Sequence, residues 1–379
     1  MTRLWRSSAL PGTLSLLLAL VPAGAALCIS ASGSACADDL TSDDGGPIFN
    51  KAKASILQVR SGDNGFILAG TGFFVDDRGT VLTSSSVLGD NSSARVVVNG
   101  VEMDAKIIGN DPRSGLTMLR ISYDESPYLP LARSSDLKSG DLVELIGYPL
   151  NLPIAPSQGP VSGFDTSYLA GIDGNKAPAG SVAAVERFAT THIHANVAIS
   201  PGEVGGPLLN QNGEVVGLVA TSPDNGKSVY ALPVEAIGKI MSDFNLYGRA
   251  RHGWVGVNVA QEADTNHDGR TVHVVRVLPG TPASQSGIEP GDTVMRIDQR
   301  EIYRPSDVLD ASFFSHVGGD MTVIVRREDK LYNYTFAVIE RPANPEAIGH
   351  PEPIEHSETR AASQPGRPVL VKQSEPASH

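Results

Sequence analysis

The stretch Pro201-Gly202-Glu203-Val204-Gly205-Gly206-Pro207-Leu208 packs three glycines and two prolines into eight residues between β-rich runs. Glycine reaches backbone angles and close approaches that side chains forbid, and proline presets its own φ, so this is a tight turn and not the interior of a helix or strand. Around it, from about Ile48 to Ala250, short apolar and β-branched runs alternate with Gly, Asn, Asp and Pro. These runs are Ser55 to Arg60, Gly72 to Val75, Val81 to Thr83, Ala94 to Val98, Leu116 to Ser122, Leu142 to Gly147 and Glu214 to Ala220. Many short strands with frequent turns predict a mostly β, antiparallel sandwich or barrel in place of βαβ units. One helix closes the region, with Pro233 in its first turn and Val234, Ile237, Ile240, Met241 and Phe244 at helical spacing.

A second unit follows from Arg251 to Arg341. Strands are expected at Trp254 to Val259, Val272 to Val277, Thr293 to Ile297, Met321 to Arg326 and Tyr332 to Val338, with helices at Thr281 to Gly287 and Ser306 to Phe314, Ser306 serving as an N-cap. Beyond it, residues 342–379 turn to Pro, Glu, Ser, Ala and His without apolar periodicity, the composition of a solvated, disordered extension.

At the other end, Arg3 and Arg6, the apolar run Leu14 to Val21 and the small residues ending Ala35-Cys36-Ala37 have the layout of a cleaved secretory signal over residues 1–37. Acylation of Cys36, as in a lipoprotein, is the alternative. Cleavage after Ala37 removes both cysteines, Cys28 and Cys36, so the expectation is a periplasmic or secreted protein without a disulfide. It also leaves 28 basic against 42 acidic side chains, a net charge of -14, which repels phosphate backbones and anionic lipid and excludes nucleic acid as a partner. The chain of 379 residues, 41% hydrophobic, is long enough for more than one core.

Three segments of the first unit, in order, resemble the catalytic segments of the HtrA (high-temperature-requirement) family of trypsin-like serine proteases. Gly70-Thr-Gly-Phe-Phe-Val-Asp-Asp-Arg-Gly-Thr-Val-Leu-Thr-Ser-Ser-Ser-Val-Leu88 is similar to the strand-turn-strand that ends in the family's general-base histidine, which falls on Ser86. Asp111-Pro-Arg-Ser-Gly-Leu-Thr-Met-Leu-Arg120 is similar to the segment of the orienting aspartate, which falls on Gly115. Asn196 to Gly217, containing the opening stretch, is similar to the nucleophile segment, and the serine falls on Val204. In the second unit Gly253-Trp-Val-Gly-Val257 resembles the carboxylate-binding loop of a PDZ domain, and Val277 to Asp292 the core that follows it. The resemblance implies a trypsin-like double β-barrel over residues 38–250 and one α+β PDZ domain over 251–341. It also implies trimers, and mixed trimers with active paralogues.

Serine-protease acylation needs a hydroxyl nucleophile, an imidazole to take its proton and a carboxylate to hold that imidazole. The positions carry Val204, Ser86 and Gly115, none of which supplies its part, so no catalytic residue is expected. The surviving glycines leave two readings open: Gly202 and Val204 N–H groups still line an oxyanion loop and a peptide cleft, or Gly205, Gly206 and Pro207 persist for turn geometry alone. Ser84, Ser85, Ser86, Ser200, His192 and His194 are the candidates for a displaced active site; the two histidines share one face of a strand, and the plainer expectation places them on a solvent face, without a metal. Asp264-Thr-Asn-His-Asp-Gly269 opens like a calcium loop but has Val275 where a bidentate glutamate belongs, and is read as a polar turn.

The PDZ-like unit keeps its working parts. Trp254, Val255, Gly256 and Val257 would hold a terminal carboxylate, Val257, Val259, Val308 and Ser312 would line the pocket for the last side chain, and Arg251 and His252 would add positive charge. The function expected is therefore cofactor-free binding of protein C-termini or unfolded polypeptides, as a scaffold, a chaperone-like holder or a regulator of active HtrA proteases in the cell envelope. The enzymatic alternative is a serine endopeptidase with a displaced nucleophile.

Overall fold

Asn99 and Gly100, both at positive φ, turn strand Ala94–Val98 directly into Val101–Asp111 with Val98 opposite Val101. This is the tight hairpin that an Asn-Gly pair between β-branched runs specifies. In the computed structural model, which describes residues 46–62, 70–169, 185–261 and 272–342, six strands of this kind close into a barrel. They are β1 (Ile56–Ser61), β2 (Gly70–Phe74), β3 (Thr80–Ser84), β4 (Ala94–Val98), β5 (Val101–Asp111) and β6 (Leu116–Arg120), in the order β1-β2-β3-β6-β5-β4. A second closed barrel, β10-β11-β12-β9-β8-β7, uses β7 (Leu142–Gly147), β8 (Ala155–Leu169), β9 (Val185–Ala195), β10 (Pro207–Leu209), β11 (Val215–Thr221) and β12 (Val229–Pro233). Helices α1 (Pro47–Ala52), α2 (Ser85–Leu88) and α3 (Val234–Tyr247) accompany them. The expected signal, both cysteines, the Asp264 to Gly269 turn and the tail after Pro342 lie outside the described residues.

The period-2 alternation of strands places the cores. Phe74 and Val81 point into the first barrel with Leu57, Val96 and Leu119, while their neighbours Phe73 and Leu82 point into a core shared with the second barrel and α3, beside Leu218, Leu232 and Ile237. Both faces of β2 and β3 are therefore buried, and each such Leu or Phe contributes roughly 1.5–3 kcal/mol. Helix α3 starts one residue later than expected: Pro233 is its N-cap and the last residue of β12, and Gly248 in the left-handed region closes it with its N–H on the Phe244 carbonyl.

The second unit is the sheet β14-β15-β16-β18-β19 with β17 on β16, built from β14 (Val257–Gln261), β15 (Val272–Val277), β16 (Thr293–Ile297), β17 (Arg300–Glu301), β18 (Asp320–Arg327) and β19 (Lys330–Ala337). Helices α4 (Pro282–Ser286) and α5 (Pro305–Phe314) cover it, and a short ribbon pairs β13 (Gly253–Trp254) with β20 (Ile339–Glu340). The single strand expected at Trp254 to Val259 is thus two, because Val255 and Gly256 leave the ladder. Ser306 is not the cap of α5. Arg304 is, and Asp307 accepts the N–H groups of Tyr303 and Arg304, both at 2.9 Å.

The second unit docks on the barrels through α5 and the segment before β13. Asp310 of α5 accepts from Thr190 Oγ1 at 2.7 Å and from Thr191 N and Oγ1, each at 2.9 Å. Phe313, 2% exposed, joins the core shared by the barrels, with the Lys239 ammonium 4.9 Å from its ring centre. His252 Nε2 lies 3.1 Å from Asp111 Oδ2 at the end of β5.

Candidate functional site

The three positions that the catalytic resemblance singles out lie in α2 (Ser86), just before β6 (Gly115) and in the loop before β10 (Val204). Ser84 caps α2: its Oγ accepts from Ser86 N at 3.2 Å, donates to the Ala220 carbonyl at 3.0 Å, and lies 2.8 Å from Ser86 Oγ. Ser85 N donates to the Gly115 carbonyl at 3.1 Å. Gly115 has φ +78°, and a Cβ there would come within 3.2 Å of Ala220 Cβ. Val204 is half-buried, with its carbonyl accepting from Thr71 N at 2.9 Å. The site thus holds a branched alkyl group, two hydroxyls that satisfy one another, and a bare methylene.

The loop around Val204 is braced by groups outside the triad positions. Thr71 Oγ1 donates to the Gly202 carbonyl at 2.7 Å, Leu150 N to the Pro201 carbonyl at 2.7 Å, and Ser200 N to Glu203 Oε2 at 2.6 Å. Burial raises the Glu203 pKa, with the Ser200 N–H pulling the other way. At Gly205, φ is +89° and a Cβ would sit 2.3 Å from the Thr71 carbonyl oxygen, so packing alone demands glycine there. The N–H groups of Gly202 and Val204 find no acceptor among the described residues.

The histidines of β9 differ from expectation. They do share a face, but His192 is covered and His194 only partly exposed: His192 is 1% exposed, stacks on Phe188 at 3.8 Å between ring centres, and places Nδ1 2.9 Å from the Thr190 carbonyl. Burial lowers its pKa to about 4 against the opposing effect of that carbonyl. His194 stacks on Tyr230 at 4.4 Å and pairs Nδ1 with Asp165 Oδ2 at 2.9 Å. Aromatic rings took the place of solvent, which the spacing of the two histidines did not signal. No cluster of three or more His, Cys, Asp or Glu suited to a metal occurs among the described residues.

The second unit carries a groove of about 910 Å³. Trp254, Val255, Gly256 and Val257 line it at one wall, and Val259, Val308 and Ser312 also face it. Ser312 Oγ is tied to the Gly253 carbonyl at 2.8 Å, which fixes α5 against the loop. The N–H groups of Val255 and Gly256 find no acceptor among the described residues, whereas their carbonyls accept from Ala283 N and Leu278 N. The cations expected beside this loop are already engaged. The Arg251 guanidinium lies over the Tyr247 ring at 4.8 Å and 3.6 Å from Glu340, which Arg249 also binds, and His252 is held by Asp111. Burial pushes the Asp111 pKa up, but the hydrogen bond and charge of His252, with Ser114 and the Arg113 N–H, outweigh it and leave the carboxyl below its ordinary value.

Comparison with known proteins agrees with this architecture. Residues 70–218 match the trypsin-like peptidase domain and residues 253–338 the PDZ domain. A Do-like protease of Arabidopsis thaliana, Do-like 14, is 30% identical over 320 residues, which cover 76% of this chain and 69% of that protein. The chain belongs to the DegP/HtrA family. A family member of Hahella chejuensis that bears the name periplasmic serine endoprotease DegP-like is 31% identical over 69% of this chain and 55% of its own length. The chain spans about half to two thirds of the length of the curated relatives it matches. Among solved structures, the HtrA-type protease AlgW with a tripeptide superposes with a TM-score of 0.63 at 22% identity, over 78% of this chain and 97% of AlgW, a likeness of fold.

Against this DegP/HtrA background, two features escaped the sequence. The groove of the PDZ domain also has a wall from the barrels, formed by Pro112, Arg113, Thr166 and Phe188. Asp310, on the far side of the groove-lining helix, fixes that wall in place. Nothing in the order of residues links Arg113 to a loop that lies some 140 positions later; the register of the folded strands does.

Proposed function

We propose that this DegP/HtrA family member binds polypeptides without cleaving them, holding C-termini in its PDZ groove within the cell envelope. The observation that supports the reading is Val204 at the position the family resemblance gives to the nucleophile, with Ser86 and Gly115 at those of the base and its orienting carboxylate. An alkyl carbon has no lone pair to attack a carbonyl, a serine hydroxyl is no base near neutral pH, and glycine orients nothing. Loss of a whole triad costs on the order of a millionfold in turnover. The N–H groups of Val255 and Gly256, which have no acceptor among the described residues, support the binding half of the proposal, since PDZ domains hold a terminal carboxylate with such donors. A scaffold, a chaperone-like holder or a regulator assembled with active relatives are the roles that fit a binder of this kind. The periplasmic naming of relatives such as the Hahella protein supports an extracytoplasmic location.

The enzymatic reading is favoured by one arrangement, the imidazole–carboxylate pair of His194 and Asp165. Among the described residues that imidazole pairs with Asp165 and stacks on Tyr230, and no serine hydroxyl bonds to it. The deciding experiment exposes the full chain to a fluorophosphonate probe and, separately, to fluorescein-labelled octapeptides ending in Val, Leu or Phe. Peptide binding without an acyl or phosphonyl adduct is expected; a stoichiometric adduct on any serine overturns the proposal.

A further inference from the structure

We propose that Arg113, a residue of the barrels, supplies the cation of the PDZ carboxylate site, so that the ligand's C-terminus is held by both domains at once. This rests on the reading of the groove as a C-terminus receptor.

The argument begins with charge. A carboxylate taken from water into a half-enclosed groove needs hydrogen-bond donors and gains from a nearby cation. The loop offers Val255 and Gly256 N–H, but the basic residues next to it in sequence are spent. Arg251 is stacked on Tyr247 and paired with Glu340, and His252 faces Asp111. Arg341, which also lines the groove, has partners of its own. Arg113 differs from all three: its side chain makes no hydrogen bond or ion pair among the described residues, and it is exposed on the groove wall. Burial pulls the Arg113 pKa down, and the charge of Asp111, whose carboxylate is already turned to His252, works the other way.

Position agrees with charge. Asp111 grips His252, two residues before Trp254, and Arg113, two residues after Asp111, lines the same groove as Trp254, Val255, Gly256 and Val257. Asp310 and Phe313 hold that arrangement by fastening the opposite side of α5 to β9 and to the shared core. A guanidinium keeps its charge at any physiological pH and presents a planar fork that suits a carboxylate. The occupant is therefore the free carboxylate of another polypeptide with an apolar last residue, the latter received by Val257, Val259 and Val308.

The test uses the full chain and the same three octapeptides, each made with a free carboxylate and with a C-terminal amide, read by fluorescence anisotropy. Arg113→Ala should weaken the carboxylate forms roughly ten-fold and the amide forms hardly at all, with partial recovery in Arg113→Lys. A steep salt dependence of the carboxylate forms should flatten in the same variant. Val259→Asp is the control for the groove itself. If Val259→Asp abolishes binding while Arg113→Ala leaves it intact, the inference falls and C-terminus capture survives. Equal losses for carboxylate and amide forms likewise overturn it, and no binding by the wild-type chain sinks both. Truncation after Pro342 should leave affinity unchanged; a large gain would assign the groove to the protein's own tail instead.

Discussion

Asp310 of α5 accepts the Thr190 hydroxyl of β9 at 2.7 Å, so the helix that walls the groove of the second unit is also pinned to the second barrel. Thr191 adds its N–H and hydroxyl to the same carboxylate. Hydrogen bonds to a charged acceptor contribute more than neutral ones, and removal of the acceptor strands three donors. Asp310→Ala should therefore cost about 2–3 kcal/mol in urea unfolding, with Asp310→Asn intermediate, and should increase trypsin cutting near Arg249 and Arg251. Unchanged stability in Asp310→Ala would show that the contact does not hold the domains.

Restoring the nucleophile alone should not restore chemistry. Val204→Ser places a hydroxyl at the site with no imidazole to take its proton, so fluorophosphonate labelling and peptide hydrolysis should stay at background. Even Ser86→His, Gly115→Asp and Val204→Ser together should recover little, because an aspartate at 115 must accept φ +78° and press on Ala220 at 3.2 Å. Adding Ala220→Gly should raise the yield. Robust turnover by Val204→Ser alone would mean that some other group already serves as base.

His192 gives the fold an acid-side weakness. Its pKa is about 4 when folded and near 6.5 when the chain unfolds, so the unfolded state binds the extra proton between those values. Stability is thus full above about pH 6.5 and falls as pH drops toward 4, by on the order of 3 kcal/mol from this residue. His192→Phe, which keeps the stack on Phe188, should flatten that slope in urea midpoints between pH 7.5 and 4.5. The same slope in both proteins would place the acid sensitivity elsewhere.

How far the sequence went can be read residue by residue. Short β-branched runs and the glycine-rich turn at 201–208 marked out the strands and the site, because periodicity and turn chemistry are local. Long β5, β8 and β9 were less visible, although Asn99-Gly100 announces the start of β5 by the same turn rules. The burial of His192 under Phe188 and the loss of Arg251 and His252 to Glu340 and Asp111 arise from contacts between distant segments, which no window of the chain displays. The break at Val255-Gly256 and the cap at Arg304 are cases where a local signal existed and a competing one prevailed: a carboxylate at Asp307 outbid the hydroxyl at Ser306.

Phe313 bears on how this protein can be taken apart. Its ring belongs to a hydrophobic interior that mostly comes from the barrels, so a cut made in the connecting segment near Gly248 would not release two finished modules. The front piece would carry an oily socket open to water, and the rear piece an unsheathed aromatic plug. Gene fission or the graft of a foreign partner onto either piece would have to solve that mismatch before anything else, and calorimetry of the intact chain should record one melting event where a beads-on-a-string protein would give two.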